Sequence, residues 1–377
     1  MNKQNKVLNR INRAIESGQT TPVGTKPNDE CYTDMVDIIQ ELNYWGELGK
    51  FKGKNIICPC DWDIDPDNDI YGCYIEFTSE NNGTFNAFDT VKDVQLQKFN
   101  LSSLIFDDST KVNDNYTTIS PDNVEDFLRN KLTCNFVRTL SQNAKRWGIK
   151  SITASGYNPA TNKGIKFQDV DYSKYDICIT NPPFSLYAEF MNCIVDKIDF
   201  ICLAPFLNRV TPNIGLPLML KKAYLGHNIY IGLNFYNPTS TNEYKQKSVA
   251  CDWITSYSEA QEERNAEYKN HKSGVDYNLY KDDYLVYENI TMKDGTHPIR
   301  VPATQLPDNY NGWMLTSVNV LNTIDLDEYE WYITNAKKYF NTTNPSANPF
   351  AHKATNTMLI LNGKKCFHGI VLKKKTI

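Results

Sequence analysis

Apolar positions divide this chain into one strongly patterned stretch and less regular flanks. In the segment DMVDIIQELNYW, residues Met35, Ile38, Ile39, Leu42 and Trp45 recur at the spacing of one helix face, which predicts an amphipathic helix. Gly46, Gly49 and Gly53 punctuate the loop after it, and Asn55–Cys60 is then an apolar run of the length of a buried strand. A second helix is expected from Pro121 to a stop at Gly148, with Phe127, Leu128, Phe136, Val137, Leu140 and Trp147 along one side. Beyond it Ser151–Ser155, Tyr175–Asn181, Asp199–Ala204 and Asn228–Leu233 each read as a short buried strand, separated by helical stretches at 184–197 and about 211–225. Apolar strands alternating with helices predict an α/β fold, a mostly parallel sheet with helices on both faces. The flanks differ. Residues 1–28 read as a flexible basic arm, 66–121 as a polar, turn-rich surface insertion with a hairpin around Asn82-Gly83, and 256–377 as a smaller irregular domain following a regular one at 29–255.

Composition narrows the possibilities. At about 150 residues per domain, 377 residues make two or three domains. No run of eighteen apolar residues is present to span a membrane, and the basic start MNKQNKVLNR has no apolar core of a secretory signal. On this reading the ten cysteines are reduced thiols of a cytoplasmic protein. A net charge of −4 argues at first against a nucleic-acid partner. By region the charge is far from even. Residues 1–28 hold five basic groups and one acidic, a sum of +4, while 331–377 hold eight lysines and no acid. The span between them therefore carries −16. Trp331, Tyr332, Tyr339, Phe340, Phe350 and Phe367 are interleaved with Lys337, Lys338, Lys353, Lys364 and Lys365, a pattern that suits a phosphate-contacting surface or, more blandly, a solubilising end.

The segment with chemistry in it is Tyr175-Asp-Ile-Cys-Ile-Thr-Asn-Pro-Pro-Phe184, an apolar strand running into Asn181-Pro182-Pro183-Phe184 and then a helix. The carboxyl end of a strand is where ligands bind in open α/β sheets. Asn is a good helix cap and Pro suits a first turn, so the tetrapeptide has a purely structural reading. It also has a chemical one. An exocyclic base amine is a poor nucleophile because its lone pair is delocalised into the ring. A side-chain amide oxygen from Asn181 and the main-chain carbonyl of Pro182 can accept both of its N–H groups and favour a pyramidal nitrogen. Phe184 can stack on a base swung out of a duplex.

Asn-Pro-Pro-Phe resembles the catalytic motif of S-adenosylmethionine-dependent amino-methyltransferases, with Asn first as in the N6-adenine enzymes. Further segments resemble the EcoRI modification methylase family in order: Asp29-Glu30-Cys31-Tyr32-Thr33, Cys58-Pro59-Cys60-Asp61-Trp62-Asp63, the strand within Gly148–Tyr157, Gln168-Asp-Val-Asp-Tyr172, Leu306–Gly312 and Asn362–Lys365. The cofactor elements come first and the target-reading part last, as in the gamma arrangement of such enzymes. The resemblance implies a Rossmann-like methyltransferase domain followed by a DNA-recognition domain, with S-adenosylmethionine as cofactor and duplex DNA as substrate. It implies catalytic roles for Asn181, Pro182, Pro183 and Phe184. It implies cofactor contacts for Tyr32, Thr33, Cys60, Asp61 and Asp63, and for Asp169 or Asp171, between which the spacing does not choose. No acidic residue closes Ser151–Ser155, where many methyltransferases hold the ribose hydroxyls, so the ribose contact stays unassigned.

The implied activity is site-specific N6-adenine methylation in restriction–modification or phage self-protection, by a monomer whose functional counterpart is a cognate restriction endonuclease. The same tetrapeptide occurs in RNA and protein-glutamine methyltransferases, and a catalytically silent DNA-binding or anti-restriction protein of this fold is a further alternative. No metal is expected. The alternating Asp61–Asp69 run fails as a calcium loop because Ile70 stands where that loop needs Gly. Pro59-Cys60 resembles the nucleophile of C5-cytosine enzymes, but amine methylation needs no covalent intermediate.

Overall fold

Strands built almost wholly of buried residues form the core of one unit of the protein. The computed structural model describes residues 32–33, 35–62, 70–77, 82–89, 95–100, 134–158, 162–236, 247–336, 339–340, 343, 346, 348–351, 359–366 and 369–376. Two compact units are formed, Lys26–Phe206 with Ala223–Tyr257, and Leu207–Lys222 with Ser258–Ile377.

In the first unit the elements run β1 (Tyr32–Thr33), α1 (Met35–Glu47), β2 (Asn55–Cys58), β3 (Ile70–Phe77), β4 (Asn82–Asp89), β5 (Gln95–Asn100), α2 (Asn135–Trp147), β6 (Ser151–Ser155), β7 (Tyr157–Asn158), β8 (Lys163–Gly164), β9 (Ile177–Thr180), α3 (Tyr187–Ile194), β10 (Asp199–Pro205), β11 (Tyr224–Leu225), β12 (Ile231–Tyr236) and β13 (Lys247–Thr255). The main sheet has the order β1-β12-β13-β10-β9-β2-β6-β3-β4-β5, with β11 paired to β13. Its centre, β10-β9-β2-β6, is parallel. Beyond it on both sides the pairing is antiparallel, so the sheet is mixed around the parallel centre that was expected. Ile177, Cys178 and Ile179 of β9 and Ile56 and Ile57 of β2 are buried, as two-sided burial of parallel strands requires.

Two departures from the sequence pattern have clear causes. Residues 66–121 were expected as an irregular excursion, yet β3 joins the sheet antiparallel to β6, with Gly72 opposite Ser155 and Glu76 opposite Ser151. Strands β3 and β4 form the expected hairpin, with Gly83 opposite Phe77, so Asn82-Gly83 opens its second strand. Polar alternation here is the mark of an antiparallel sheet extension. The strand expected at Asn228–Leu233 starts three residues later. Its first residues are held as a loop by Glu41, a buried carboxylate on α1 that accepts from the main-chain N–H groups of His227 (2.9 Å) and Asn228 (2.7 Å), the Asn228 amide (3.0 Å) and the Trp45 indole (2.7 Å). Gly226 permits this approach, since a Cβ there would stand 2.5 Å from the Glu41 carboxylate. The second helix is described only from Asn135, after an extended Cys134; the expected positions Phe127 and Leu128 lie outside the described residues. It stops as expected at Gly148, which is left-handed (φ 66°) and returns its N–H to Ala144 and Lys145.

The second unit holds α4 (Pro212–Met219), α5 (Glu259–Tyr268), α6 (Tyr277–Tyr280), and strands β14 (Ile299–Arg300), β15 (Met314–Thr316), β16 (Tyr329–Ile333), β17 (Leu359–Leu361), β18 (Lys364–Cys366) and β19 (Ile370–Lys374). Its sheet runs β14-β15-β19-β16, and β17-β18 is a separate hairpin. Among the described residues no helix is long and apolar enough to cross a membrane.

Candidate active site

Register places the ends of β2, β6 and β9 side by side: Cys58 opposes Ala154, and Ile57 opposes Cys178. The segments singled out in the sequence leave the sheet at these ends. After β2 the chain turns through Pro59-Cys60, and the Asp61 N–H donates to the Ser155 carbonyl (3.2 Å). Here Gly156 is required, because a Cβ on it would lie 2.0 Å from the Trp62 carbonyl oxygen. From β9, the buried Thr180 hydroxyl donates a short hydrogen bond to the Asp61 carboxylate. Asp61, in the turn after β2, is thereby joined to the residue just before Asn181, at the end of β9.

Asn181 is half-buried with its carboxamide oxygen withdrawn from solvent, and Pro182 is buried. Residues 181–183 have no regular structure. A single 3-10 turn, Phe184–Leu186, precedes α3; Pro183 flanks the turn and Leu186 flanks the helix. Asn181 therefore caps neither, and the structural reading of the tetrapeptide as a helix start fails for that residue. Phe184 is partly exposed at the mouth of this segment.

The cysteines here are held as thiols. Burial, and then the nearby Asp61 charge, push both Cys58 and Cys60 well above the ordinary thiol range. A neutral Cys60 is unsuited to nucleophilic attack.

Strand β1 pairs with β12, placing Tyr32 opposite Tyr236 and Thr33 opposite Phe235. The Thr33 carbonyl accepts from the Asn135 amide at the start of α2 (2.7 Å), and Cys134, next to it, lies near enough to Cys58 to act on its thiol. This chain of contacts relates Thr33 to the β2 end. Among the described residues the buried Thr33 hydroxyl has no hydrogen-bond partner. A buried hydroxyl of this kind fits a polar ligand such as the amino-acid end of a cofactor, because an unmade buried hydrogen bond is costly.

The two acidic candidates before β9 differ in environment. Asp171 accepts from Ser173 through its N–H (3.3 Å) and hydroxyl (2.6 Å) and pairs with Lys174 (3.5 Å). The Ser173 hydroxyl bond, with Lys174 behind it, holds its carboxyl below the usual range. Asp169 ends the turn Phe167–Asp169 and is exposed. Phe167 packs edge-on against Phe190 of α3 (5.6 Å), which fixes that turn beside the helix following the Asn181 segment.

Asp63 and the rest of the acidic run, together with Lys337, Lys338 and Lys353, lie outside the described residues. Lys364 is exposed just after the turn of the β17–β18 hairpin, and Lys365 follows in β18. Asn362 (φ 50°) and Gly363 (φ 70°) both take the left-handed conformation that a two-residue hairpin turn needs. Two further groups at the site were not picked out from the sequence. Asn135 follows a stretch without a capping signal. Trp62 is a large apolar residue inside an otherwise acidic run, and that misfit was its only signal.

Comparison with known proteins adds to this geometry. Residues 23–375 match the family model described as adenine-specific methyltransferase EcoRI. The type II methyltransferase M.MgeORF184P of Mycoplasma genitalium is 22% identical over 218 residues, 54% of this chain and 65% of that protein. The match thus spans slightly under two thirds of the relative's length. No solved structure matches the chain.

Proposed function

This chain belongs to the adenine-specific methyltransferase EcoRI family, and on that premise we propose that it methylates the N6 amine of adenine at specific sites in duplex DNA, with S-adenosylmethionine as the methyl donor. The observation that carries the reading is the Asn181–Phe184 segment. It leaves a central parallel strand at its carboxyl end, is joined through Thr180 to Asp61, and is not consumed as a helix cap.

Each residue then has a task. The Asn181 carboxamide oxygen and the Pro182 carbonyl accept the two N–H groups of the amine, drawing its lone pair out of conjugation. Proline at 182 and 183 leaves no main-chain N–H there to compete for those acceptors. Phe184 stacks on the extruded base. Thr33, Asp61 and Asp169 hold the cofactor, with Tyr32 and Cys60 as neighbours. When bound, S-adenosylmethionine supplies an electrophilic methyl group on a sulfonium centre. The remaining contribution of the protein is alignment and fixed dipoles. With Cys60 neutral, direct transfer is favoured over a covalent enzyme intermediate. Lys364 and Lys365, with Lys337, Lys338 and Lys353, contact phosphates. The family setting suggests restriction–modification or phage self-protection, with an endonuclease as a functional counterpart.

The test is transfer of tritiated methyl from the cofactor to mixed-sequence duplex DNA, with RNA and bulk protein as parallel substrates. Labelled N6-methyladenine in DNA is expected, and Asn181→Ala should lower the rate by roughly 100-fold or more, as loss of a preorganised polar contact does. Label appearing in RNA or glutamine instead, or full activity of Asn181→Ala, overturns the proposal.

A further inference from the structure

The end of β6 raises a specific problem. It closes in Ser155-Gly156, with no carboxylate to receive ribose hydroxyls. The structure offers a different group at that place. Strands β2 and β3 flank β6 on opposite sides, and Cys58 opposes Ala154 while Gly72 opposes Ser155. Residues 59–62, which follow β2, therefore leave the sheet at the carboxyl end of β6, and Trp62 is the last of them. Its carbonyl is seated against Gly156, its predecessor Asp61 is bonded to Ser155 and Thr180, and its side chain is only 5% exposed.

The Trp62 indole N–H is buried and has no hydrogen-bond partner among the described residues. Buried tryptophans normally find an acceptor, and an unmade bond costs about 1–3 kcal/mol. Two other indoles, those of Trp147 and Trp253, are also unpartnered, but they serve packing. Trp147 lies against Gly46 and Phe51, and Trp253 lies within β13 against Phe136. Trp62 alone of the three follows the carboxyl end of a central parallel strand, next to an acidic residue assigned to the cofactor.

We propose that the Trp62 indole N–H is the ribose-binding donor of this protein, hydrogen-bonding a cofactor ribose hydroxyl in place of a strand-terminal carboxylate. The assignment rests on the reading that the chain binds S-adenosylmethionine. It adds a residue and a specificity: a neutral donor recognises a hydroxyl as acceptor, whereas a carboxylate recognises it as donor.

The experiment uses the full chain and three probes, S-adenosylhomocysteine and its 2′-deoxy and 3′-deoxy analogues, measured by calorimetry on wild type and Trp62→Phe. Wild type should bind one deoxy analogue more weakly than the parent. Trp62→Phe should lose roughly 5- to 30-fold in affinity for the parent, the worth of one hydrogen bond to a previously unsatisfied donor, and little for that analogue. A second readout needs no variant. In 15N-labelled wild type the Trp62 indole N–H resonance should move downfield with the parent ligand and not with the analogue lacking its acceptor. Equal losses for all three ligands, or an indole resonance unmoved by the parent, overturn the assignment while leaving cofactor binding intact. Failure of the wild-type chain to bind S-adenosylhomocysteine at all overturns the cofactor reading and the assignment together.

Discussion

Asp169 and Asp171 are chemically equivalent in the sequence and differ in what surrounds them. Asp171 is committed to Ser173 and Lys174, so its carboxylate shapes the turn before β9. On the proposed reading Asp169 is therefore the one of the two that holds the cofactor. Asp169→Ala should weaken S-adenosylhomocysteine binding by roughly 10-fold, as expected for a lost charge-assisted bond, and Asp171→Ala by about 2-fold at most. Calorimetry on the two variants distinguishes them. Cys60 makes the opposite point, a reactive residue type in an unreactive state. With burial and Asp61 both favouring the thiol, Cys60→Ala should retain methyl transfer within about 3-fold, since the proposed direct transfer has no covalent step at Cys60. Loss of activity on that substitution, or capture of DNA on Cys60, would require a different mechanism.

At the scale of elements, the contact between α1 and the loop before β12 depends on one buried charge. Four donors converge on Glu41, and burial nevertheless raises its carboxyl above the ordinary range. A folded-state pKa above the unfolded one means that the folded protein holds this proton more tightly. Stability contributed here is therefore greatest at low pH and declines as pH rises through the window above the usual carboxylate range. Glu41→Gln removes that pH dependence, but it also turns an amide N–H₂ toward groups that can only donate. The variant should be less stable at pH 7 by about 1–3 kcal/mol, measured by urea unfolding, with a flatter profile between pH 4.5 and 7. The same four bonds explain why β12 begins at Ile231. Helical periodicity gave no hint of this, because Glu41 falls between Ile38 and Leu42 on the apolar face and reads as a polar interruption.

For the whole molecule, the lysine-rich end proved to be more than a tail. Ile370–Lys374 is an inner strand of the second unit's sheet, paired with both β15 and β16, and Val371 and Leu372 are fully buried. Lys373 is engaged with Asp294 and lies over Trp313, and Lys375 donates to the Asp327 carbonyl. Deleting the segment would unfold the unit, so point substitutions are the fair test of phosphate contact. Lys364→Ala with Lys365→Ala should reduce the slope of log affinity for DNA against log salt by up to about 2, because each phosphate contact contributes about 0.9. Affinity for S-adenosylhomocysteine should be unchanged. An unaltered slope in a fluorescence-anisotropy titration would remove these two lysines from the DNA surface.

Local order was readable wherever a short-range pattern carries the information. The strands at 55–58, 151–155 and 177–180, the helix stop at Gly148 and the emergence of Asn181–Phe184 from a buried strand all follow from hydrophobic runs and backbone preferences that act over a few residues. Family membership was readable too, from ordered motifs spread over the chain. Tertiary structure alone decided that β3, β4 and β5 extend the sheet, that Glu41 is a buried clasp, that Asn181 is no helix cap, and that Trp62 sits at the end of β6 with a donor unsatisfied among the described residues. Each of these depends on which distant residue stands opposite. Strand pairing and the partnering of buried polar groups are settled between segments far apart in sequence, where no local periodicity records them.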